Sequence, residues 1–300
     1  MPWLPPVERL SRTLSACWLI DTHRGLGWRR RLAAAFDVAF VAQGDAVEPL
    51  AEAGLDVHWL PLAAPADLCV EGPRLADRRY DVAFVGQARR GSLRAAVLDA
   101  LRSRCSVAPT PPYVSPPDMM RLYASARVVV NLPLARDLNM RVFEATGAGS
   151  LLVTGPAHRL DRVLPTGSYE LVEARTVDAW VRGVAQALAD PDAQDRADRA
   201  HQRVMAEHTY EHRLATVIDV LGSSTRRPLA MAERAAALGA AYARWGRPGP
   251  AVRLDLPAGI RARLVTEAAS WQVATTGVRT VRRLRRRAAG LQPGQSLPAS

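Results

Sequence analysis

The sequence predicts an α/β protein built from two parallel β-sheets in which helices follow the strands. Short apolar runs alternate with helical segments over residues 16–221. The runs are nearly continuous in apolar residues, as expected of parallel strands that are covered on both faces. A proline-containing stretch at 61–79 separates the runs into two sets. We therefore expect two Rossmann-like domains joined by a linker.

The first set of runs is short. It contains three predicted strands with helical stretches between them, at ACWLID (16–21), DVAFVAQ (37–43) and DVHWLPL (56–62). We place the first domain at residues 1–72.

The second set is longer and defines a domain at residues 73–222. Its predicted strands are YDVAFVG (80–86), CSVAP (105–109), RVVVNL (127–132), SLLVTG (150–155) and YELV (169–172). Its predicted helices lie near 91–103, at 116–125, at RVFEATGAG (141–149), at 176–190 and, as one closing helix, from 191 to about 221.

The remaining residues, 223–300, form a predicted helical extension. An Ala-rich helix is expected at 228–245 and an Arg-dense helix at 257–289, followed by a disordered end. The run 279–287 interleaves valine and leucine with arginine. Such a helix can contact an anionic membrane, bind nucleic acid or stay solvated. Of the two ligands we favour the membrane contact and expect no nucleic-acid partner.

Composition fits a globular protein. The 300 residues are 48% hydrophobic, which is enough for two cores. The net charge is +11, but all forty basic residues are Arg, which indicates coding bias more than a nucleic-acid partner. The three cysteines show no metal-binding or disulfide spacing. No apolar run reaches membrane-spanning length and no secretory signal is visible, so we expect a cytoplasmic protein.

The loops after the strands are the places to look for a ligand, because doubly wound sheets bind ligands there. After the first strand of the second set, Gly86 allows close backbone approach, and Arg89 and Arg90 can face a diphosphate. The loop lacks both GxGxxG and the Walker lysine, so a dinucleotide dehydrogenase or P-loop enzyme is not expected. The alternative is a plain turn with solvated arginines. The loops that begin at Asn131 and at Thr154 follow two further strands.

The stretch LNMRVFEATGAG (138–149) concentrates polar groups at the start of a predicted helix. Asn139 and Arg141 lie in its first turn, and Glu144 lies on the side of Arg141 by the i, i+3 relation. A carboxylate there can accept two hydrogen bonds from ribose hydroxyls, while the helix start and Arg141 favour phosphates. The alternative is an ordinary surface ion pair.

This stretch, continued as SLLVTG, resembles the donor-binding signature of GT-B glycosyltransferases, most closely that of the CgeB-like (spore maturation) group. YDVAFVGQ, YASARVVVNL, HTYEHR (208–213) and the runs WLIDTH, FDVAFVAQ and WLPLA extend the resemblance over residues 16–220.

The resemblance implies two facing domains and transfer of a hexose-type sugar from a nucleotide-diphosphate sugar to an unidentified acceptor, without metal or cofactor. Glu144 would hold the ribose, and Gly86 with Arg89 or Arg90 would lie near the phosphates. The remaining donor-site residues would be Asn131, Asn139, Arg141 and Thr154.

Asp21 and His23, at the end of the first strand, would face the cleft and act as the catalytic base. A solvent-exposed loop histidine is the alternative. His208 and His212 have the spacing of a metal pair on a helix, but no third ligand is visible, so we expect helix-surface histidines.

The sequence departs from the resembled pattern in two ways. Related retaining enzymes place a first glutamate eight residues before the ribose-binding one, but Arg136, next to Asp137, stands there. The first domain is also about half the usual size, which indicates a truncated or reduced form. A catalytically degenerate nucleotide-sugar-binding or partner-binding module is therefore the alternative function.

Overall fold

The computed structural model describes residues 7–70, 72–109 and 114–244. The predicted helix at 257–289 and the Arg-dense run 279–287 lie outside the described residues. Among the described residues, no helix is both long and apolar enough to cross a membrane.

The first sheet contains three parallel strands in the order β1-β2-β3. They are β1 (Ala16–Leu19), β2 (Val38–Val41) and β3 (Asp56–Trp59). The accompanying helices are α1 (Val7–Arg12), α2 (Leu26–Ala33) and α3 (Val47–Ala51). The middle strand β2 is completely buried, which explains why its sequence is apolar at successive positions.

The second sheet has four parallel strands in the order β4-β5-β6-β7. They are β4 (Tyr80–Ala83), β5 (Ala126–Asn131), β6 (Leu151–Thr154) and β7 (Glu170–Leu171). The predicted CSVAP strand contributes one isolated bridge, from Val107 to Val82. The helices are α4 (Leu93–Arg102), α5 (Pro116–Ala124), α6 (Met140–Gly147), α7 (Val177–Ala189) and α8 (Ala193–Glu207).

The prediction of one closing helix from 191 to 221 is wrong, because the helix is interrupted at His208 and Thr209. Helix α8 ends there, and α9 (Tyr210–Ser223) begins with a capping box between Thr209 and His212. At the break, the His208 carbonyl accepts a hydrogen bond from the Ala64 amide at 2.8 Å. The interdomain linker is therefore fixed to the α8–α9 junction.

His208 is consequently not the helix-surface residue that the sequence predicts. It is buried, and Arg213 Nη2 donates to its Nδ1 at 2.9 Å. Burial, and then the positive charge of Arg213, lower the pKa of His208 to about 4. Arg213 also donates to the carbonyls of Pro61 and Leu62. His208 and Arg213 thus hold the crossing between the domains together, while His212 caps α9 by accepting a hydrogen bond from the Thr209 amide at 3.3 Å.

The two last described helices return to the first sheet and cover it from opposite sides. Helix α9 packs Val217, Val220 and Leu221 against Phe40 and its neighbours. Helix α10 (Met231–Arg244) packs against α1 and α2. The start of the extension predicted at 223–300 thus completes the core of the short first domain.

Candidate functional site

A cavity of about 280 Å³ lies between the two sheets, at the carboxyl ends of the strands. The first domain contributes Asp21, His23 and Arg24, which follow β1 in a short 3₁₀ turn. The second domain contributes side chains from α4, α5, α6 and the loop before α6. The structure therefore brings the predicted catalytic pair and the predicted ribose-binding helix to one cleft.

Glu144 lines this cleft in the second turn of α6 and is only 8% exposed. Its carboxylate accepts no hydrogen bond from any residue that the structure describes. Burial raises its pKa to about 7, and the charge of Arg141 offsets only part of this effect. The residue is thus not one half of a surface ion pair. It is a desolvated carboxylate with unused acceptor capacity in a cleft, which is typical of functional sites.

Arg141 lies beside Glu144 but is held by the protein. Its guanidinium donates to Tyr123 Oη at 3.3 Å, to Asn131 Oδ1 at 3.1 Å and to the carbonyl of Val85, and it stacks on the ring of Phe84. These contacts fix its direction. The positive charge of Arg141 is therefore held in place at the cleft.

Gly86 makes room for this guanidinium. Its φ of +144° is a conformation that L side chains rarely adopt, and a Cβ there would lie 2.7 Å from Arg141 Nη2. The glycine after β4 therefore allows Arg141 to reach the end of the strand, and it is not on the wall of the cleft.

Asn131 and Thr154 are completely buried, and the structure does not bring them to the surface of the cleft. Asn131 donates to Thr154 Oγ1 at 3.1 Å and accepts from Asn139 Nδ2 at 3.0 Å. The two predicted donor contacts are thus corrected to a buried hydrogen-bond network that orients Asn139 and Arg141. Asn139 itself lines the cleft, and its Oδ1 has no partner within the described ranges.

His23 and two carboxylates lie close together in the same cleft. One oxygen each from Asp21 and Asp137 and one ring nitrogen of His23 lie within 4.8 Å of one another. Both ring nitrogens of His23 are buried and lack a hydrogen-bond partner among the described residues. Burial raises the pKa of Asp137, while a 3.0 Å hydrogen bond from Gln43 and the nearby His23 oppose the shift. The imidazole therefore has carboxylates nearby and free nitrogens.

The loop that carries Asp137 bears on the first departure from the resembled pattern, in which Arg136 stands where related retaining enzymes have a glutamate. Arg136 has a positive φ of 56° and lines a separate cavity beside Trp180. Asp137, the next residue, turns its carboxylate into the cleft. An acidic group is thus present in the cleft, one position later in the sequence than the resembled pattern has it.

The two predicted phosphate-binding arginines point in different directions. Arg89 lines a second cavity next to the cleft, whereas Arg90 lines an outer cavity beside Asp99 and Arg102. Neither Arg89 nor Arg90 lines the cleft that contains Glu144. The arginines that do line it include Arg24 and Arg94, which also line the second cavity.

Sequence reasoning missed Arg24, Arg94 and Asp137. Arg94 could have been found, because it is the second residue of the helix that follows the Gly86 loop. Arg24 follows the predicted base His23, and Asp137 follows Arg136, but only the fold shows which of these side chains line the cleft.

Comparisons with known proteins agree with this architecture. A family model described as glycosyl transferase-like matches residues 77–219. No curated protein matches the chain. Sucrose-phosphate synthase from Thermosynechococcus elongatus aligns with a TM-score of 0.51 and 14% identity over 64% of this chain and 59% of its own. The chain thus spans less than two thirds of that protein.

Two further solved structures are similar. For α,α-trehalose 6-phosphate synthase from Burkholderia multivorans the TM-score is 0.52 at 13% identity, with 72% of this chain and 68% of that chain covered. For Anabaena HepE in complex with UDP and glucose it is 0.56 at 12% identity, with 69% and 71% covered. These likenesses and the two parallel sheets show a GT-B fold, with two Rossmann-like domains on either side of a cleft.

Proposed function

We propose that this chain is a glycosyltransferase that moves a sugar from a nucleoside-diphosphate sugar to an acceptor hydroxyl. The observation that carries the proposal is the buried, unpaired carboxylate of Glu144 in an arginine-lined cleft between two Rossmann-like domains. The glycosyl transferase-like match over 77–219 and the resemblance of 138–155 to the CgeB-like donor signature support it. The structure of Anabaena HepE, a protein of this fold in complex with UDP and glucose, adds further support.

In this proposal the donor lies along α6. The ribose hydroxyls donate to Glu144, and the start of α6 with Arg24, Arg94 and Arg141 faces the diphosphate. The negative charge that develops on the leaving diphosphate is then stabilised by fixed positive groups in a partly dry cleft.

His23 completes the chemistry as the base. As the acceptor oxygen bonds to the anomeric carbon, the bond from that carbon to the diphosphate oxygen breaks and the acceptor proton passes to His23. Asp21 and Asp137 stabilise the imidazolium that forms. The products are the glycosylated acceptor and a nucleoside diphosphate.

Replacing Glu144 tests the nucleotide site. Glu144→Ala is expected to weaken nucleotide binding by about 1–3 kcal/mol, because the ribose loses hydrogen bonds to a charged acceptor. Calorimetry with uridine and guanosine diphosphates measures this change. Glu52→Ala, which removes an exposed glutamate outside the cleft, is the matched control. An unchanged dissociation constant in Glu144→Ala would contradict the assignment.

The raised pKa of Glu144 gives the same claim a pH dependence. Ionised Glu144 is the better acceptor, so the affinity for a nucleotide sugar should fall about tenfold from pH 8 to pH 6 in the native protein and stay constant in Glu144→Gln.

The folded-state pKa of Glu144 lies above the ordinary 4.5, so the protonated carboxyl favours folding at low pH and this contribution is lost as pH rises through about 7. Glu144→Gln should therefore unfold at a higher temperature than the native protein at pH 8, which separates weak binding from misfolding.

We further propose that transfer needs no metal ion. Asp21, His23 and Asp137 are residue types that can hold a cation, but Arg24, Arg94 and Arg141 line the same cavity and repel one. Turnover is expected to be unchanged by EDTA and by added Mg²⁺ or Mn²⁺. A loss of activity in EDTA that one of these ions restores would overturn this part of the proposal.

The alternative is a module that binds a nucleotide sugar without turning it over, and the three-stranded first sheet is the observation that favours it. Incubation with a bound nucleotide sugar and candidate acceptors separates the two functions. Release of nucleoside diphosphate supports the transferase, and binding without release supports the module.

A further inference from the structure

A second cavity of about 310 Å³ adjoins the cleft and shares Arg24, Arg94 and Leu134 with it. The loop after β4, the loop after β5 and the segment before α7 form the rest of its wall. Two further arginines, Arg89 and Arg175, line this cavity but not the cleft.

The charge of this second cavity is entirely positive. Its lining contains Arg24, Arg89, Arg94 and Arg175 and no acidic residue. Within the described ranges, none of the four arginines forms an ion pair with a carboxylate. Burial, and then the neighbouring charges of Arg141 and Arg24, lower the pKa of Arg94. Repulsion between positive charges that lack a counter-charge raises the free energy of the folded protein, and binding of an anion lowers it again.

The polar surroundings suit an oxyanion. Gln87 and Ser92 line the same wall, and Ser92 caps α4 by accepting from the Ala95 amide at 3.2 Å. The first amides of this ten-residue helix therefore add partial positive charge to that of the guanidiniums. Arg94 is held by the carbonyls of Leu132 and Gln87, which fixes its charge between the two cavities.

The donor diphosphate does not account for this arrangement. Arg24, Arg94 and Arg141 already supply positive charge to the cleft that contains Glu144. Arg89 and Arg175 line the second cavity but not the cleft, whereas Glu144 lines the cleft but not the second cavity, so these two arginines have no part in the proposed donor site. Arg175 also lines the cavity beside Trp180. A group in the second cavity would nevertheless lie next to the donor, because the cavities share a wall.

We propose that the second cavity binds a phosphate or carboxylate group of the acceptor, so that the sugar is transferred to an anionic acceptor. This inference rests on the proposed function, because it assigns the acceptor class of the same reaction. The anchored anion would hold the acceptor while one of its hydroxyl groups reaches His23 across the cleft.

Inorganic phosphate is the first probe. Its binding is measured by calorimetry with the intact protein saturated with uridine or guanosine diphosphate, whichever binds more tightly. We expect phosphate still to bind. In Arg89→Ala and in Arg175→Ala, phosphate affinity should fall about tenfold or more, with nucleotide affinity unchanged. Arg182→Ala, an exposed arginine that lines neither cavity, is the matched control and should change neither affinity.

A hexose monophosphate, glucuronate and the free hexose are then compared as competitors of phosphate, which distinguishes a phosphate group from a carboxylate. Displacement by either charged sugar but not by the free hexose supports the proposal. Displacement of phosphate by the nucleoside diphosphate, or an equal loss of nucleotide affinity in Arg89→Ala and Arg175→Ala, would assign the cavity to the donor and overturn it. If no nucleotide binds but phosphate binding still depends on Arg89 and Arg175, the transferase function fails and the anion cavity remains.

Discussion

Replacing Arg234 with methionine is expected to destabilise the first domain by about 3–5 kcal/mol, because it leaves a buried carboxylate without its counter-charge. The side chains of Arg234 on α10 and of Asp37, directly before β2, are both completely buried, and Arg234 Nη2 lies 2.6 Å from Asp37 Oδ1. Arg234 also donates to the Ala35 carbonyl at 2.7 Å. Asp37 has further donors in Ser15 and in the Arg227 amide.

These hydrogen bonds decide the charge state of Asp37. Burial alone would raise its pKa, but the donors from Arg234, Ser15 and Arg227 together lower it. The carboxylate is therefore ionised in the folded protein, and the cost of removing Arg234 is that of an unpaired negative charge in a dry core.

Urea unfolding followed by circular dichroism measures the loss, and hydrogen exchange of β1 and β2 locates it. Arg182→Met, at an exposed arginine, is the matched control. Unfolding of the second sheet should change little. If Arg234→Met is as stable as the control, α10 does not hold the first domain together.

The second large effect is expected at His23. His23→Ala should lower turnover about 10²–10⁴-fold, which is the usual contribution of a positioned general base. Nucleotide affinity should not change, because the proposed ribose and phosphate contacts are made by Glu144 and by arginines. Steady-state rates of nucleoside diphosphate release give the first quantity, and calorimetry gives the second.

His58→Ala serves as the control for His23→Ala, since His58 lies on β3 and pairs with Asp56 away from the cleft. A His23→Ala protein with native turnover would show that another group takes the acceptor proton. A protein that also loses nucleotide binding would place His23 in the donor site.

Much of the fold follows from local sequence. Strands β2, β4, β5 and β6 are predictable because buried parallel strands require continuous apolar runs, and α6 because its polar start and buried far side give a helical period. The cleft position of Glu144 follows from these elements and from the rule that ligands bind at the carboxyl ends of the strands.

What the sequence did not predict depends on distant contacts. The return of α9 and α10 to the first sheet joins Arg234 to Asp37, 197 residues apart, and no local pattern marks that pair. The break at Thr209 was missed because the apolar spacing continues across it. The different directions of Arg89 and Arg90 were not predictable, because the direction of each side chain in a turn is decided by the packing around the turn, which the local sequence does not show.

A crystal structure of the protein with a bound nucleoside diphosphate tests the central claim most directly. The account predicts that both ribose hydroxyls lie within hydrogen-bonding distance of the Glu144 carboxylate and that the diphosphate faces Arg94 and the start of α6. A nucleotide bound outside the cleft, or inside it with the ribose turned away from Glu144, would contradict the account.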